Sequence, residues 1–519
     1  MLLTKSTRRA SAAMVVSLAA TVIFLFNTNN ARAQGPVGGA GSVSRDGGAS
    51  ASAQDLTGGA VQATVRRTLA RRPMTRAAGA SVTRRPRTRP AGRPTMDADD
   101  YSDQGDAFLN AGKYTEALNA YKQAVRLKPD MAEAHYGIGW IYNEQDQYAQ
   151  ALESLKTALR YKNEYAEAWK ELGFAHRSLN QGNEAVNAYR QAIRINPEYA
   201  QAYYELGWTY NELKQYEQAL APLNQALLKK SDYAEALNEL GYAYRKLERY
   251  KEAVEAYTEA TTLKKDYAIA YFGLGDVYFY NTHQYPQAIS AYRQALSLQP
   301  DNARAFYNIG WAQNELKQFA QSIEALEKAI SVKADYPEAY AELGYAYRKL
   351  ERFPDAIQNY KEALRLKADY PQAYFGLGDV YYYNTSQYAE AVAAYQQGLR
   401  LKPGNATANY NIGWAYDDMR RYSDAVAPLR EALRIKPDYA EAHNELGYAY
   451  LNMRQYPDAV TAFRQAISLK SDYALAHYNL GITYLNMGNR AAAMDEYRAL
   501  TPIDQTRAAK LLAEINKKG

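Results

Sequence analysis

The chain has 519 residues, 47% of them hydrophobic, with 49 tyrosines and a formal net charge of +6. It contains no cysteine, which excludes disulfides and Cys-ligated zinc or iron–sulfur sites. The charge is split: residues 1–96 hold fifteen Lys or Arg against two Asp, a surplus of 13 that leaves residues 97–519 near −7.

The first segment, residues 1–33, reads as an export signal. Lys5, Arg8 and Arg9 form a positive head, and Ala12 to Phe26 is apolar except for Ser17 and Thr21. Ala31-Arg32-Ala33 is an A-x-A cleavage pattern, which makes Gln34 the expected mature start. The alternative is an uncleaved membrane anchor through residues 10–26, although that stretch is short of the ~20 residues a spanning helix needs. Residues 34–97 are expected to be a disordered linker, rich in Gly, Ala and Ser up to residue 60. Ten arginines from Arg66 to Arg93 follow, with no acidic residue over 61–96. Such a segment cannot bury enough apolar surface to fold. It has three readings: contact with an anionic surface, contact with nucleic acid, or a soluble tether. An export signal upstream argues against nucleic acid.

From Ala98 to residue 507, alanine, leucine and tyrosine recur at helical spacing with a period of 34 residues. The twelve repeats start at Ala98, Ala132, Ala166, Ala200, Ala234, Ala268, Ala303, Pro337, Pro371, Ala406, Ala440 and Ala474. Each carries a glycine at its eighth position, from Gly105 to Gly481. Glycine costs a helix interior about 1 kcal/mol against alanine, so its recurrence implies close helix contact. A small residue opens each second helix, as at Ala117, Ala151 and Ala185. The repeats end in "NPEYA", "KPDYA" or "KSDYA", where Asp438 or Asp472 is expected to cap the next helix. Residues 503–519 are expected to close the array as a capping helix through Ile503, Leu511, Leu512 and Ile515.

A second period of 103 residues, built from repeats of 34, 34 and 35, overlies the first. Glu239–Tyr250 and Glu342–Phe353 match at eleven of twelve positions. The longer repeats, 268–302 and 371–405, each carry one extra residue within "YFYNTHQY" or "YYYNTSQY". A block of three repeats was therefore the unit copied.

The segment "AEAWKELGFAH" places Trp169, Leu172 and Gly173 in a pattern that resembles the tetratricopeptide repeat (TPR) family, with His176 where tyrosine is usual and Pro197 as the closing proline. Twelve such segments in register cover most of the chain. The resemblance implies an all-α fold: a right-handed superhelical solenoid of about twelve two-helix repeats with a C-terminal capping helix. It also implies a concave groove lined by the first helix of each pair.

No motif argues for catalysis, and no cofactor or metal is expected. The histidines have no close ligand spacing, and His135, His443 and His477 stand at the position of Trp169, which points to packing. Nucleotide-loop and nucleophile-elbow patterns are missing. The second, fifth, ninth and twelfth positions of each first helix share one face, and this face is the candidate ligand-binding groove. It holds Tyr136, Trp140, Tyr204, Trp208, Tyr307, Trp311, Asn314, Tyr410 and Trp414 in one class of repeat. The next class places Tyr242, Arg245, Tyr345 and Arg348 there, and the third Phe272, Asp276, Phe375 and Asp379. Tyr, Trp and Arg dominate binding hot spots. The same aromatics could instead pack between neighbouring first helices. The lysine and asparagine clamp that some TPR proteins use for a terminal carboxylate is replaced here mostly by tyrosine, glutamate and tryptophan. The expected function is an exported, non-enzymatic scaffold, periplasmic, envelope-associated or secreted, that holds a protein or peptide in the groove. Arg245 and Arg348 would then meet acidic groups on the partner. The alternative is carbohydrate binding by aromatic stacking beside Asn, Asp and Arg.

Overall fold

The computed structural model describes residues 96–517. The expected signal or anchor, and all but the last two residues of the expected linker, lie outside them. The described chain divides into two units whose boundary in the sequence falls between Ala312 and Gln313.

In the unit before this boundary, first helices of thirteen residues (nine in Ala268–Asp276) begin at the repeat starts and fourteen-residue second helices follow. The pairs are Ala98–Asn110 with Tyr114–Leu127, Ala132–Glu144 with Tyr148–Tyr161, and Ala166–Ser178 with Gly182–Ile195. Ala200–Glu212 with Tyr216–Lys229, Ala234–Lys246 with Tyr250–Leu263, and Ala268–Asp276 with Tyr285–Leu298 continue the series. Helix Ala303–Glu315 contains the boundary. The other unit starts with second helix Phe319–Val332 and holds five further pairs. These are Pro337–Lys349 with Phe353–Leu366, Pro371–Asp379 with Tyr388–Leu401, Ala406–Asp418 with Tyr422–Ile435, Ala440–Asn452 with Tyr456–Leu469, and Ala474–Asn486 with Arg490–Leu500. Helix Gln505–Lys517 ends it. Among the described residues there is no strand; the fold is the all-α solenoid of tandem helix pairs that the family resemblance implies.

A three-residue turn joins the helices of most pairs, and a left-handed residue stops the first helix. Asp146, Asn180, Lys214, Glu248, Glu351 and Arg454 have φ near +60°. The next residue's N–H then reaches back to a carbonyl five residues earlier, as from Gln147 to Tyr142 at 2.8 Å and from Gln181 to His176 at 2.9 Å. This satisfies carbonyls that the helix end would otherwise orphan. Helix starts differ from expectation. Helices Ala440–Asn452 and Ala474–Asn486 take Tyr439 and Tyr473 as N-caps with no side-chain bond, so Asp438 and Asp472 do not cap. Lysine and tyrosine of the "K-x-D-Y" ends stack instead: Lys264 over Tyr267 at 4.8 Å, Lys436 over Tyr439 at 4.7 Å and Lys470 over Tyr473 at 5.2 Å.

Most eighth-position glycines receive side chains of the second helices. A Cβ on Gly241 would meet the ring of Tyr257 at 2.9 Å, and one on Gly139 would meet Leu155 at 2.6 Å. Tyr257 also lies against Gly273, and Tyr360 lies between Gly344 and Gly376. One aromatic ring thus wedges between two successive first helices. Ala117, Ala151, Ala185, Ala219 and Ala253 have no exposed surface, which lets the paired helices close around these wedges.

The extra residue of each 35-residue repeat is absorbed within the first helix. Val277–Asn281 and Val380–Asn384 are π-helical turns, and Thr282 N–H bonds Val277 O at 3.1 Å, five residues back. In the last helix, Ala508, Leu511 and Ile515 are buried, and Leu511 fills the space beside Gly481. Leu512 is only partly buried and Ile503 is 37% exposed, so the apolar face is narrower than expected and starts later.

Candidate functional site

The candidate groove positions fall on first helices, and most are covered by the next repeat. In the unit before residue 313, Tyr204, Trp208, Trp140, Phe272, Tyr307 and Asp276 are buried, while Tyr136, Tyr242, Arg245 and Trp311 are partly buried. Tyr136 lies 4.9 Å from Tyr165, and Tyr204 lies 5.0 Å from Tyr233, each partner standing just before the next first helix. Trp140 meets Tyr114 edge-on at 6.0 Å, and Trp311 meets Phe279 at 4.9 Å. The Arg177 guanidinium lies 3.8 Å above the Trp208 ring, and Glu205 sits 2.7 Å from it. Burial opposes the Arg177 charge most, but Glu205, Tyr189, Glu212 and Tyr204 together outweigh it and hold its pKa above the ordinary value.

In the unit after Ala312, Phe375 and Tyr410 are buried, and Tyr345, Arg348, Asp379 and Trp414 are partly buried. Trp414 is the centre of a ring cluster with Tyr382 at 5.2 Å, Tyr410 at 5.5 Å and Tyr383 at 6.1 Å. Tyr383 keeps 48% of its surface exposed. It is not among the expected site residues; its position two residues after the copied "GDVY" segment, inside the π-turn, is the available signal.

A polar link accompanies the rings. The Asn143 amide donates to the Glu171 carbonyl and carboxylate at 3.1 and 3.0 Å, and Asn211 does the same to Glu239 at 3.0 Å for both. Asn314 donates to Glu342 at 3.3 and 2.9 Å. Each link spans 28 residues, from the twelfth position of one first helix to the sixth of the next. Burial pushes the Glu239 carboxyl up to about 7, and its bond from Asn211 works against this. Asn211 and Asn314 therefore use their amides inside the stack, which removes two polar neighbours that sugar recognition would need.

Arg245 and Arg348 differ most from expectation. Arg245 Nη1 lies 3.6 Å from Asp276, and Arg348 Nη1 lies 3.5 Å from Asp379, in the next repeat. With side chains 17% and 14% exposed, they serve the stack and are not presented to a partner's acids. The histidines serve packing too. His135 and His443 bond the carbonyls of Pro129 and Pro437 at 2.9 and 3.1 Å, the same reach that Trp169 makes to Asn163 at 2.8 Å. A carbonyl only accepts, so these Nε2 atoms carry the proton.

Models of the tetratricopeptide repeat match residues 102–166, 200–228, 303–336, 380–440, 429–461 and 474–506. A further TPR repeat model matches 175–211, 241–281, 279–316, 344–384 and 455–488. No curated protein matches the chain. Among solved structures, MamA is 28% identical over 32% of this chain and 96% of its own, with a TM-score of 0.30. The Cut9–Hcn1 hetero-tetramer is 15% identical over 81% of this chain and 96% of the matched chain, with a TM-score of 0.36. A tetratricopeptide repeat protein from Parabacteroides merdae is 18% identical over 48% and 98%, with a TM-score of 0.37. Together the repeat models span most of the residues from 102 to 506, and the chain belongs to the tetratricopeptide repeat family.

Proposed function

We propose that the chain is an exported, non-enzymatic scaffold that binds a protein or peptide partner along its first-helix face. Family membership supports a protein-interaction scaffold. The observation that carries the finer reading is the Trp414 cluster: rings fixed by one another and by the next repeat, with Trp414 partly buried and Tyr383 exposed. Rigid rings with polar tips gain by burial against a partner at little cost in side-chain entropy. Tyr242 and Tyr345, held edge-on by Tyr216 and Phe319 at 6.0 and 6.2 Å, offer the same kind of surface. Export rests on the leader pattern of residues 1–33, and the Arg66–Arg93 tract adds a cationic segment suited to an anionic envelope surface.

The test immobilises the full chain beside a Tyr242→Ala/Tyr345→Ala/Tyr383→Ala variant whose helicity matches by circular dichroism. Both are challenged with envelope extract. A defined protein held by the native chain and released by the variant supports the reading. Retention of glycan alone, or the same proteins on both, overturns it.

A further inference from the structure

The 103-residue period makes the chain its own comparison. In the first copy, Asp276 sits between two guanidiniums, Arg245 at 3.6 Å and Arg304, whose Nη2 lies 3.4 and 3.2 Å from the two carboxylate oxygens. The Tyr292 hydroxyl donates to Asp276 at 2.8 Å, the Asn308 amide donates to that hydroxyl at 3.0 Å, and the Tyr280 hydroxyl donates to Asn308 at 3.0 Å. The second copy repeats this arrangement 103 residues on. Arg348 lies 3.5 Å from Asp379, Tyr395 donates to Asp379 at 2.8 Å, Asn411 donates to Tyr395 at 3.0 Å, and Tyr383 donates to Asn411 at 2.8 Å. One member differs. Where the first copy has Arg304, the second has Thr407.

The exchange opens the carboxylate. The Asp276 side chain is 7% exposed under Arg304, and the Asp379 side chain is 28% exposed. Tyr280, within electrostatic reach of Arg304, is partly buried, whereas Tyr383 is 48% exposed. The short Thr407 side chain lies near Tyr439, and Tyr383 lies within electrostatic reach of both Asp379 and Tyr439. A carboxylate within electrostatic reach of the exposed Tyr383 ring fits a flat cation, which can fork its N–H groups to the oxygens and lay its face on that ring.

We propose that Asp379 is a subsite for a guanidinium, donated by an arginine of a bound peptide, which takes the place that Arg304 fills in the first copy. The Asp276 cluster holds two positive charges on the same framework, so the Asp379 cluster has the geometry for a second. Burial raises the Asp379 pKa and Arg348 counters it; a second cation would favour the charged form further. The subsite rests on the peptide-scaffold reading and names one side chain that such a peptide carries.

The test uses the full chain and two fluorescein-labelled peptides, one with a single central arginine and one with citrulline, its uncharged isostere, followed by fluorescence anisotropy. The arginine peptide should bind at least tenfold tighter. Thr407→Arg, which installs the arginine the first copy already accommodates, and Asp379→Asn should each erase that preference, with Thr407→Arg keeping native helicity. A preference that survives Thr407→Arg overturns the subsite. A further arm replaces the ten arginines from Arg66 to Arg93 with glutamine. Preference seen only in that variant shows that the chain's own tract fills the site, and preference in neither form overturns it. If Thr407→Arg still captures the partner that the native chain captures from extract, the scaffold reading stands without this subsite.

Discussion

Replacing Gly378 by alanine tests whether the recurrent glycine exists for the ring that lies on it. The added Cβ would sit 2.7 Å from Tyr395 Cε1 and 2.8 Å from Cδ1, well inside the ~3.5–4.0 Å optimum for carbon contacts. The ring has no free direction of retreat. Tyr395 is 1% exposed, and its hydroxyl donates to Asp379 at 2.8 Å and accepts from Asn411 at 3.0 Å. Alanine gains about 1 kcal/mol of helix propensity. Overpacking a close-fitted core costs about 1–3 kcal/mol, and weakening a bond to a charged acceptor adds about 1.5–3 kcal/mol. The net expectation is a loss of about 1.5–5 kcal/mol. Gly404, with nothing within 4 Å of a Cβ, is the control; Gly404→Ala should be neutral or stabilise by up to about 1 kcal/mol. Repeat arrays open locally, so the assay pairs urea unfolding by circular dichroism with hydrogen exchange of peptides spanning 371–418. Protection in Gly378→Ala equal to or above the native chain would refute the packing role of the glycine.

Glu239 is a second test, by pH. Burial raises its folded pKa to about 7, so its contribution is full below the ordinary carboxyl value and is lost as pH rises through 7. Glu239→Gln should therefore leave urea stability unchanged at pH 4 and raise it at pH 8, by about 3 kcal/mol; a pH-independent difference would contradict the burial effect. The bond to Glu496 raises the folded pKa of His477, which adds stability below the ordinary imidazole value and loses it as pH climbs past the folded one. Glu496→Gln should accordingly speed hydrogen exchange over 474–500 more at pH 5.5 than at pH 8.5, and the reverse order would count against the pairing. Export is checked by N-terminal sequencing of the native protein: a start at Gln34 is expected, and an intact Met1 in the cytoplasmic fraction would end that reading.

The repeat register was legible because a solenoid restates its rules at a fixed spacing. Alanine at 117, 151 and 185 and glycine at 139 and 241 lie in the sequence where the helices close in the structure. The π-turn was half legible. The extra residue in "YFYNTHQY" was visible, but a loop and a helix bulge absorb one residue equally well on paper. Coverage of the aromatic face was not legible. Three- and four-residue spacing puts Tyr204 and Trp208 on one face, yet whether the next helix covers that face depends on partners such as Tyr233 and Arg177. Arg245 resembled a binding residue because its acid, Asp276, stands 31 residues away in the following repeat. Ile503 shows the same limit at the chain's end: it precedes helix Gln505–Lys517 and stays exposed.

The offset that hid these pairs also indicates where a solenoid face is free to bind. Each first helix in a link gives a twelfth-position donor to its neighbour, as Asn143, Arg177, Asn211 and Asn314 do to Glu171, Glu205, Glu239 and Glu342. A residue engaged in such a link is held in place by the stack and has little left for a partner. Recognition should therefore concentrate where a copied block keeps the framework but drops one member. The pair Arg304 and Thr407 is such a place: Arg348, Tyr395, Asn411 and Tyr383 repeat the first copy's bonds, and only the closing cation is missing. Thr407→Arg consequently separates stability from recognition. The first copy shows that the framework carries an arginine there, so a loss of ligand in that variant without a loss of helicity identifies the opening itself as the functional feature.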